Sequence, residues 1–300
     1  MISLKSLLKL FFEFFNFIPF LINSFLLILR YRSYKYRLID LNVGDKKVII
    51  LGNGPSLKDD IAHISTDGVD FFCVNHFADS DYFEKFKPKF YLFLDPYFWE
   101  ENVSAEYSSK RLRTFRSINE KVDWDFRVYI PSYASFNIEN AFYNSNVKVV
   151  RYSGLGFKKY PKFLENLLLD TSIYSPYAIN VVIHSVFIAI HSGYKFIDLY
   201  GVDTSVFLNL RVDPDSNQVY AEFEHFYGKS KVLQNEAGLR HKPLTLAECL
   251  EKEYYNFLTY ELMARYARHR EVILQNCSSF SLIDSIERKK TSNFYNDTDF

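Results

Sequence analysis

Short apolar blocks alternate with longer amphipathic stretches along this chain. The blocks at 46–51 (Lys-Lys-Val-Ile-Ile-Leu), 69–75 (Val-Asp-Phe-Phe-Cys-Val-Asn), 89–95 (Lys-Phe-Tyr-Leu-Phe-Leu-Asp), 125–131 and 147–152 predict strands. The first is a β-branched run bounded by glycine, the mark of a buried strand of the parallel type. Residues 176–192 predict a helix that leads through Gly193 into a strand at 196–200 and then Gly201-Val202-Asp203. A long helix over 244–268, a strand at 271–275 and a short final helix complete the pattern. This alternation predicts an α/β fold, a doubly wound and mainly parallel sheet with ligands at the carboxyl ends of its strands. The 300 residues divide into an apolar and basic segment at 1–45, a main domain at 46–290 and a polar tail at 291–300.

Residues 7–29 are dominated by Leu, Phe and Ile, interrupted by Lys9, Glu13, Asn16, Pro19 and Asn23. The strictly apolar stretches are too short for a clean transmembrane helix. Arg30, Arg32, Lys35 and Arg37 follow, interleaved with Tyr31, Tyr34 and Tyr36, which is no signal-peptide cleavage region. Residues 1–37 are therefore expected to lie at a membrane surface, tyrosines at headgroup depth and cations toward anionic lipid. A core helix or an oligomer contact is the alternative. If the segment spans, its stronger basic flank is C-terminal and keeps the main domain cytoplasmic.

Formal net charge is zero, against a nucleic-acid binder with a broad basic surface. Cys73, Cys249 and Cys277 are widely spaced and suggest neither a disulfide framework nor a zinc site. The candidate chemistry begins at Gly52-Asn53-Gly54-Pro55-Ser56, directly after the first strand. The glycines permit a sharp turn and a close approach to a ligand. Ser56 suits the N-cap of a helix whose free N–H groups favour phosphate. No Gly-Lys-Ser/Thr follows, and Leu57 stands where a dinucleotide fingerprint has its third glycine. Asn53, Asn75, Asp95 and Asp203 all fall at strand ends, which marks a site, although Asn also serves plain turn chemistry. Residues 204–243 break the rhythm as an insertion of the kind that forms a lid. They carry Asp213-Pro214-Asp215, Tyr220 and Glu224-His225-Phe226-Tyr227-Gly228. The paired aspartates read as turn chemistry before they read as a metal site, and His184 and His191, in an apolar helix, read as packing.

Taken in order, these stretches resemble the bacterial family 42 sialyltransferases. Lys-Val-Ile-Ile-Leu-Gly-Asn-Gly-Pro-Ser-Leu-Lys (47–58) looks like their opening, and Cys73-Val74-Asn75 like their second strand end. Gly193-Tyr194-Lys195 with Leu199-Tyr200-Gly201-Val202-Asp203 is similar to their central helix–strand unit, and 225–230 to the stretch around their catalytic histidine. Cys277 and the Ser279…Ile286-Glu287 tail also fall in register. The resemblance implies a Rossmann-like domain, a variant of the GT-A type, with an inserted lid. It implies inverting transfer of sialic acid, or a related nonulosonic acid, from a CMP-activated donor to a sugar hydroxyl, with no metal or other cofactor. His225 would be the general base. Tyr220 and Tyr227 would serve the leaving-group phosphate. Gly52, Asn53, Gly54, Pro55, Ser56, Asn75, Asp95, Gly201 and Asp203 would hold the donor nucleotide. The acceptor would be an oligosaccharide or lipid-linked glycan, at the cytoplasmic face of the inner membrane, and an oligomer is compatible with the sequence. Four positions depart from the family pattern: Asp95 replaces an asparagine, Ala178 and Val181 replace an Arg-x-x-Ser pair, and Ser205 replaces the first of two tyrosines. A diphosphokinase-like enzyme of the same fold, or a non-catalytic nucleotide-binding module at the membrane, are the alternatives.

Overall fold

The computed structural model describes residues 21–135, 138–157, 164–177, 179–226, 228–233, 239–240 and 242–289. Seven parallel strands form the central sheet: β1 (Lys47–Leu51), β2 (Val69–Val74), β3 (Phe90–Leu92), β4 (Phe126–Pro131), β5 (Val147–Tyr152), β8 (Phe196–Tyr200) and β12 (Ile273–Asn276). Their order is β12-β8-β1-β2-β3-β4-β5. The chain therefore builds outward from β1 to β5, then crosses over to add β8 and β12 on the other side. The order reverses between β1 and β8, where a doubly wound sheet opens its crevice. A short parallel pair, β6 (Leu155–Phe157) and β7 (Tyr174–Pro176), lies apart from it.

Alternate residues of each strand feed two separate cores. Val48, Ile50, Phe72, Val74 and Leu92 pack with the apolar helix α2 (Val181–His191) and the long helix α3 (Leu246–His269). Ile49, Leu51, Phe71, Cys73 and Tyr91 pack on the other face, against Phe115 and Ile118 of α1 (Ala105–Lys121). Both faces are covered, so the strands are mainly apolar and the sheet can be parallel. His184 and His191 sit within the first core as packing histidines. Tyr152 Oη lies 2.8 Å from His184 Nδ1, and His191 Nε2 lies 3.1 Å from the Leu169 carbonyl.

Two expected elements differ. The helix expected over 176–192 begins at Val181, because Tyr174–Pro176 is drawn into β7 and Asn180 caps the helix by accepting the Val182 N–H at 2.9 Å. No final helix follows β12 among the described residues. Ser278 and Ser281 bond instead to backbone groups of Val202, a side-chain competition that disfavours helix. The 204–243 insertion folds as a three-stranded antiparallel sheet of β9 (Leu210–Val212), β10 (Val219–His225) and β11 (Gly228–Leu233). Val219 and Leu210 pack it onto Leu244 and Cys249 at the start of α3. Residues 21–30 are helical; no helix among the described residues is long and apolar enough to cross a membrane. The polar tail at 291–300 lies outside the described residues.

The crossover is tightest where the turn after β1 meets the turn after β8. A Cβ on Gly52 would collide with the Gly201 carbonyl oxygen, and Gly201 itself has φ +64°. Gly52→Ala is expected to lower stability by about 1–3 kcal/mol, read by urea denaturation. An unchanged midpoint would mean that the two turns are not packed backbone to backbone.

Candidate active site

The carboxyl ends of β1, β2 and β3 bring Asn53, Asn75 and Asp95 side by side. Asn53 Nδ2 donates to the Val74 carbonyl at 3.2 Å, tying the first turn to the second strand. Asn75 Nδ2 donates to Asp95 Oδ2 at 2.9 Å, tying the second to the third. Asn75 has φ +49°, a left-handed conformation that Asn tolerates better than most residues, so turn geometry and side-chain chemistry both draw on it. The Oδ1 atoms of Asn53 and Asn75 are buried and accept no hydrogen bond. An orphaned buried acceptor costs about 1–3 kcal/mol, so two at one edge form a receptive site for a ligand's hydroxyl or amino groups.

His225 reaches this edge from the insertion. Its Nδ1 lies 3.2 Å from the Asn53 carbonyl oxygen, and the Phe226 N–H donates to the same oxygen at 3.3 Å. A carbonyl can only accept, so Nδ1 carries the proton and Nε2 is the basic nitrogen. The Phe226 ring rests on Phe77 at 5.6 Å, seating the hairpin tip against the second core. Burial, with a smaller contribution from Lys110, lowers the His225 pKa below its ordinary value, opposed by the Asn53 carbonyl. The imidazole is thus neutral at neutral pH, the form a general base needs.

In the Gly52–Ser56 turn, several of the polar groups expected to meet a phosphate are bonded within the chain. The Gly52 N–H donates to the Tyr200 carbonyl and the Gly54 N–H to the Gly201 carbonyl, each at 2.8 Å. Ser56 donates its N–H to Asp203 Oδ2 at 3.0 Å and its hydroxyl to Asp203 Oδ1 at 2.7 Å. Ser56 has helical dihedrals and caps nothing; the helix after it is one turn, Leu57–Asp60. Gly54 is required because a Cβ there would strike the Asp203 carboxylate. Gly52, Gly54, Ser56, Gly201 and Asp203 therefore act together as a latch, and the receptive edge runs from Asn53, in the same turn, to Asn75 and Asp95 at the ends of the next two strands. Pro55, without an N–H, sits within the same turn.

Asp95 is partly buried at the end of β3, and desolvation raises its pKa to about 6 against Lys252 and the Asn75 amide, which lower it. It can therefore take up a proton at small cost when an anion approaches. Tyr107, on α1, is pushed up to about 12 by burial, then by Glu106 and Asp95, and keeps its phenolic proton. His76, one residue beyond Asn75, lies 2.7 Å from Thr114 Oγ1 and 2.9 Å from Tyr97 Oη, and burial lowers its pKa to about 3. Sequence reasoning missed His76, Tyr97, Tyr107, Lys110 and Lys252; only His76 carried a signal, as the neighbour of a strand-end asparagine.

The structure does not bring Tyr220 to His225. Five residues separate them along β10, about 17 Å at strand rise, and they fall on opposite faces of the ladder. Tyr227 lies outside the described residues. Asp213 Oδ1 accepts from the N–H groups of Asp215 and Ser216, which is turn chemistry.

Ionised Asp95 is disfavoured in the folded state, because its folded pKa of about 6 exceeds the usual carboxylate value. Its stabilising contribution is therefore present at low pH and is lost as pH rises through about 6. Relative to Asp95→Asn, the parent is expected to lose about 1–2 kcal/mol between pH 4 and pH 7, measured by urea denaturation at each pH. Parallel pH profiles for the two proteins would contradict the raised pKa.

No protein-family model and no curated protein sequence matches the chain. Among solved structures it is similar to the MAf glycosyltransferase from Magnetospirillum magneticum AMB-1, with 18% sequence identity and a TM-score of 0.48. The match covers 89% of this chain, which spans 38% of that one.

Proposed function

We propose that this chain is an inverting glycosyltransferase that moves sialic acid, or a related nonulosonic acid, from a CMP-activated donor to a hydroxyl of a surface-glycan acceptor. The observation that carries the reading is His225: a neutral imidazole, its tautomer set by the Asn53 carbonyl, held at the strand edge where Asn53 and Asn75 offer unpaired acceptors. The ordered likeness of residues 46–287 to the family 42 sialyltransferases supports the donor assignment.

In this reading Nε2 of His225 takes the proton of the acceptor hydroxyl as that oxygen bonds to the anomeric carbon. The bond from that carbon to the CMP phosphate oxygen breaks, and the electron pair leaves on CMP. Asn53 and Asn75 accept from hydroxyl or amino groups of the nucleotide. The phenol of Tyr107, which keeps its proton, and the charge of Lys252 favour the departing phosphate. A protonated Asp95 removes the repulsion that a carboxylate would exert there. No step of this scheme calls for a metal. The membrane-surface role of residues 1–37 and the cytoplasmic face as the place of action belong to the same proposal.

Asp95 supports a second reading, a diphosphokinase-like enzyme, because a carboxylate is a Mg²⁺ ligand where an asparagine is a poor one. Chelation with EDTA separates the two, abolishing the second activity and leaving the first.

His225→Ala is expected to lower CMP release in the presence of acceptor by roughly 10²–10⁴-fold in kcat while CMP still binds. Undiminished transfer would remove His225 from the role of base. The neutral ring is the active form and its pKa is lowered, so kcat/KM should rise with pH along an acid limb centred below 6.5. A limb centred above that value would contradict a desolvated, neutral base.

A further inference from the structure

A second concavity, its lining mainly apolar, opens at the same edge of the sheet, two strands from Asn75. One wall is Arg30, Tyr31, Arg32 and Tyr36; the other is Ser132–Ser135, the turn after β4, and the cleft encloses about 560 Å³. The turn is braced from beneath by the buried Arg151 guanidinium, which donates to the Ala134 carbonyl at 2.9 Å and the Ser135 carbonyl at 3.1 Å. The facing wall is tied down as well. The Tyr36 carbonyl accepts the Ser153 N–H at 3.0 Å, and the Leu38 N–H donates to Ser172 Oγ at 3.0 Å. Arg32 has φ +50° and turns the chain out of the helix, so that Arg30 and Arg32 both line the cleft. Neither arginine forms an ion pair among the described residues, and both are exposed.

The helix over 21–30 gives this cleft its context. Leu21, Ile22, Phe25, Leu26 and Leu29 are exposed, from 44% to 61%, on one stripe of its surface, whereas Ser24 is buried against the body. An apolar helical stripe ending in Arg30, Arg32 and Lys35 complements the surface of an anionic bilayer. The cleft also adjoins the transfer site. Tyr133 edges onto Tyr31 at 6.4 Å, and the Asp95 carboxylate bears on the Tyr133 phenol. From β4 to β1 is three strand spacings, about 14 Å, the reach of a short oligosaccharide.

We propose that this cleft is an acceptor-side subsite for a lipid-borne phosphate: Arg30 and Arg32 hold the phosphate joining a lipid to the glycan, while the helix over 21–30 lies in the bilayer surface. Guanidinium groups suit this role because they bind phosphate bidentately and stay charged. The Tyr133 ring and the Ser132–Ser135 turn form the other wall, with Ser135 Oγ donating to the Trp99 carbonyl at 2.8 Å. The glycan then runs along the strand edge toward His225. This assignment rests on reading that edge as the transfer site.

The test is calorimetry on the full chain with three probes: farnesyl phosphate, farnesol and inorganic phosphate. Farnesyl phosphate should bind at least about tenfold more tightly than either of the others, because it alone offers both the charge and the apolar tail. The double variant Arg30→Ala/Arg32→Ala should lose about tenfold or more of that affinity with an unchanged urea midpoint, and Arg30→Lys/Arg32→Lys should fall between. Phe25→Ser/Leu29→Ser should weaken flotation with phosphatidylcholine vesicles carrying farnesyl phosphate. Equal affinity for inorganic phosphate would make the cleft a free-anion site, and equal affinity for farnesol would make it merely apolar; either overturns the proposal, as does full affinity in the double alanine variant. Binding needs no donor, so the two readings fail separately. A chain that transfers from CMP donors but ignores farnesyl phosphate refutes the subsite alone. One that binds farnesyl phosphate through the arginines but turns over no donor refutes the transfer reading.

Discussion

The carboxylate of Asp203 joins the two turns on which the rest of the site is built. It takes the Ser56 N–H and hydroxyl in a buried pocket, where hydrogen bonds to a charged group contribute about 1.5–3 kcal/mol each. Gly52, Gly54 and Gly201 remove the side chains that would keep the turns apart. With the turns locked, the Asn53 carbonyl has a fixed direction, and it is this oxygen that receives both His225 and Phe226. The position of the proposed base thus depends on a carboxylate that need not touch the substrate.

This latch also bears on where the receptive edge lies. In a doubly wound sheet the crevice opens where strand order reverses, here between β8 and β1. Asp203 binds Ser56 across that junction, and the unpaired acceptors appear at the ends of β1 and β2. The charged forms of the titratable groups there are disfavoured. Burial keeps His76 unprotonated, lowers the pKa of His225 and raises that of Asp95. Of the fixed charges nearby, Lys252 bears on Asp95, while Lys110 is paired with Glu106 at 2.6 Å.

Much of the architecture was legible because periodicity and strand-end glycines are local signals. The strand at 196–200 coincides with β8, and that at 147–152 with β5. The start of α2 was missed because β7 captures residues 174–176, a pairing with β6 that no local pattern announces. The absent final helix has a similar cause, since Ser278 and Ser281 are committed to Val202 far away in sequence. At the site, Asn53, Asn75, Asp95 and His225 were all named from strand ends and motif order, and the structure brings them to one edge. The packing of the Gly52–Ser56 turn on Gly201 was not legible, because a glycine-rich turn that approaches a phosphate and one that approaches a second backbone look alike in sequence. Tyr107, Lys110 and Lys252 lie on helices whose faces become relevant only once the sheet is assembled.

The most direct test is calorimetric titration of the intact chain with CMP, CDP, UDP and ATP under identical conditions. A strand edge that presents two asparagine acceptors and a neutral histidine to a cytidine monophosphate should bind CMP in preference to the other three. Preferential binding of ATP or UDP, or no nucleotide binding at all, would contradict the account.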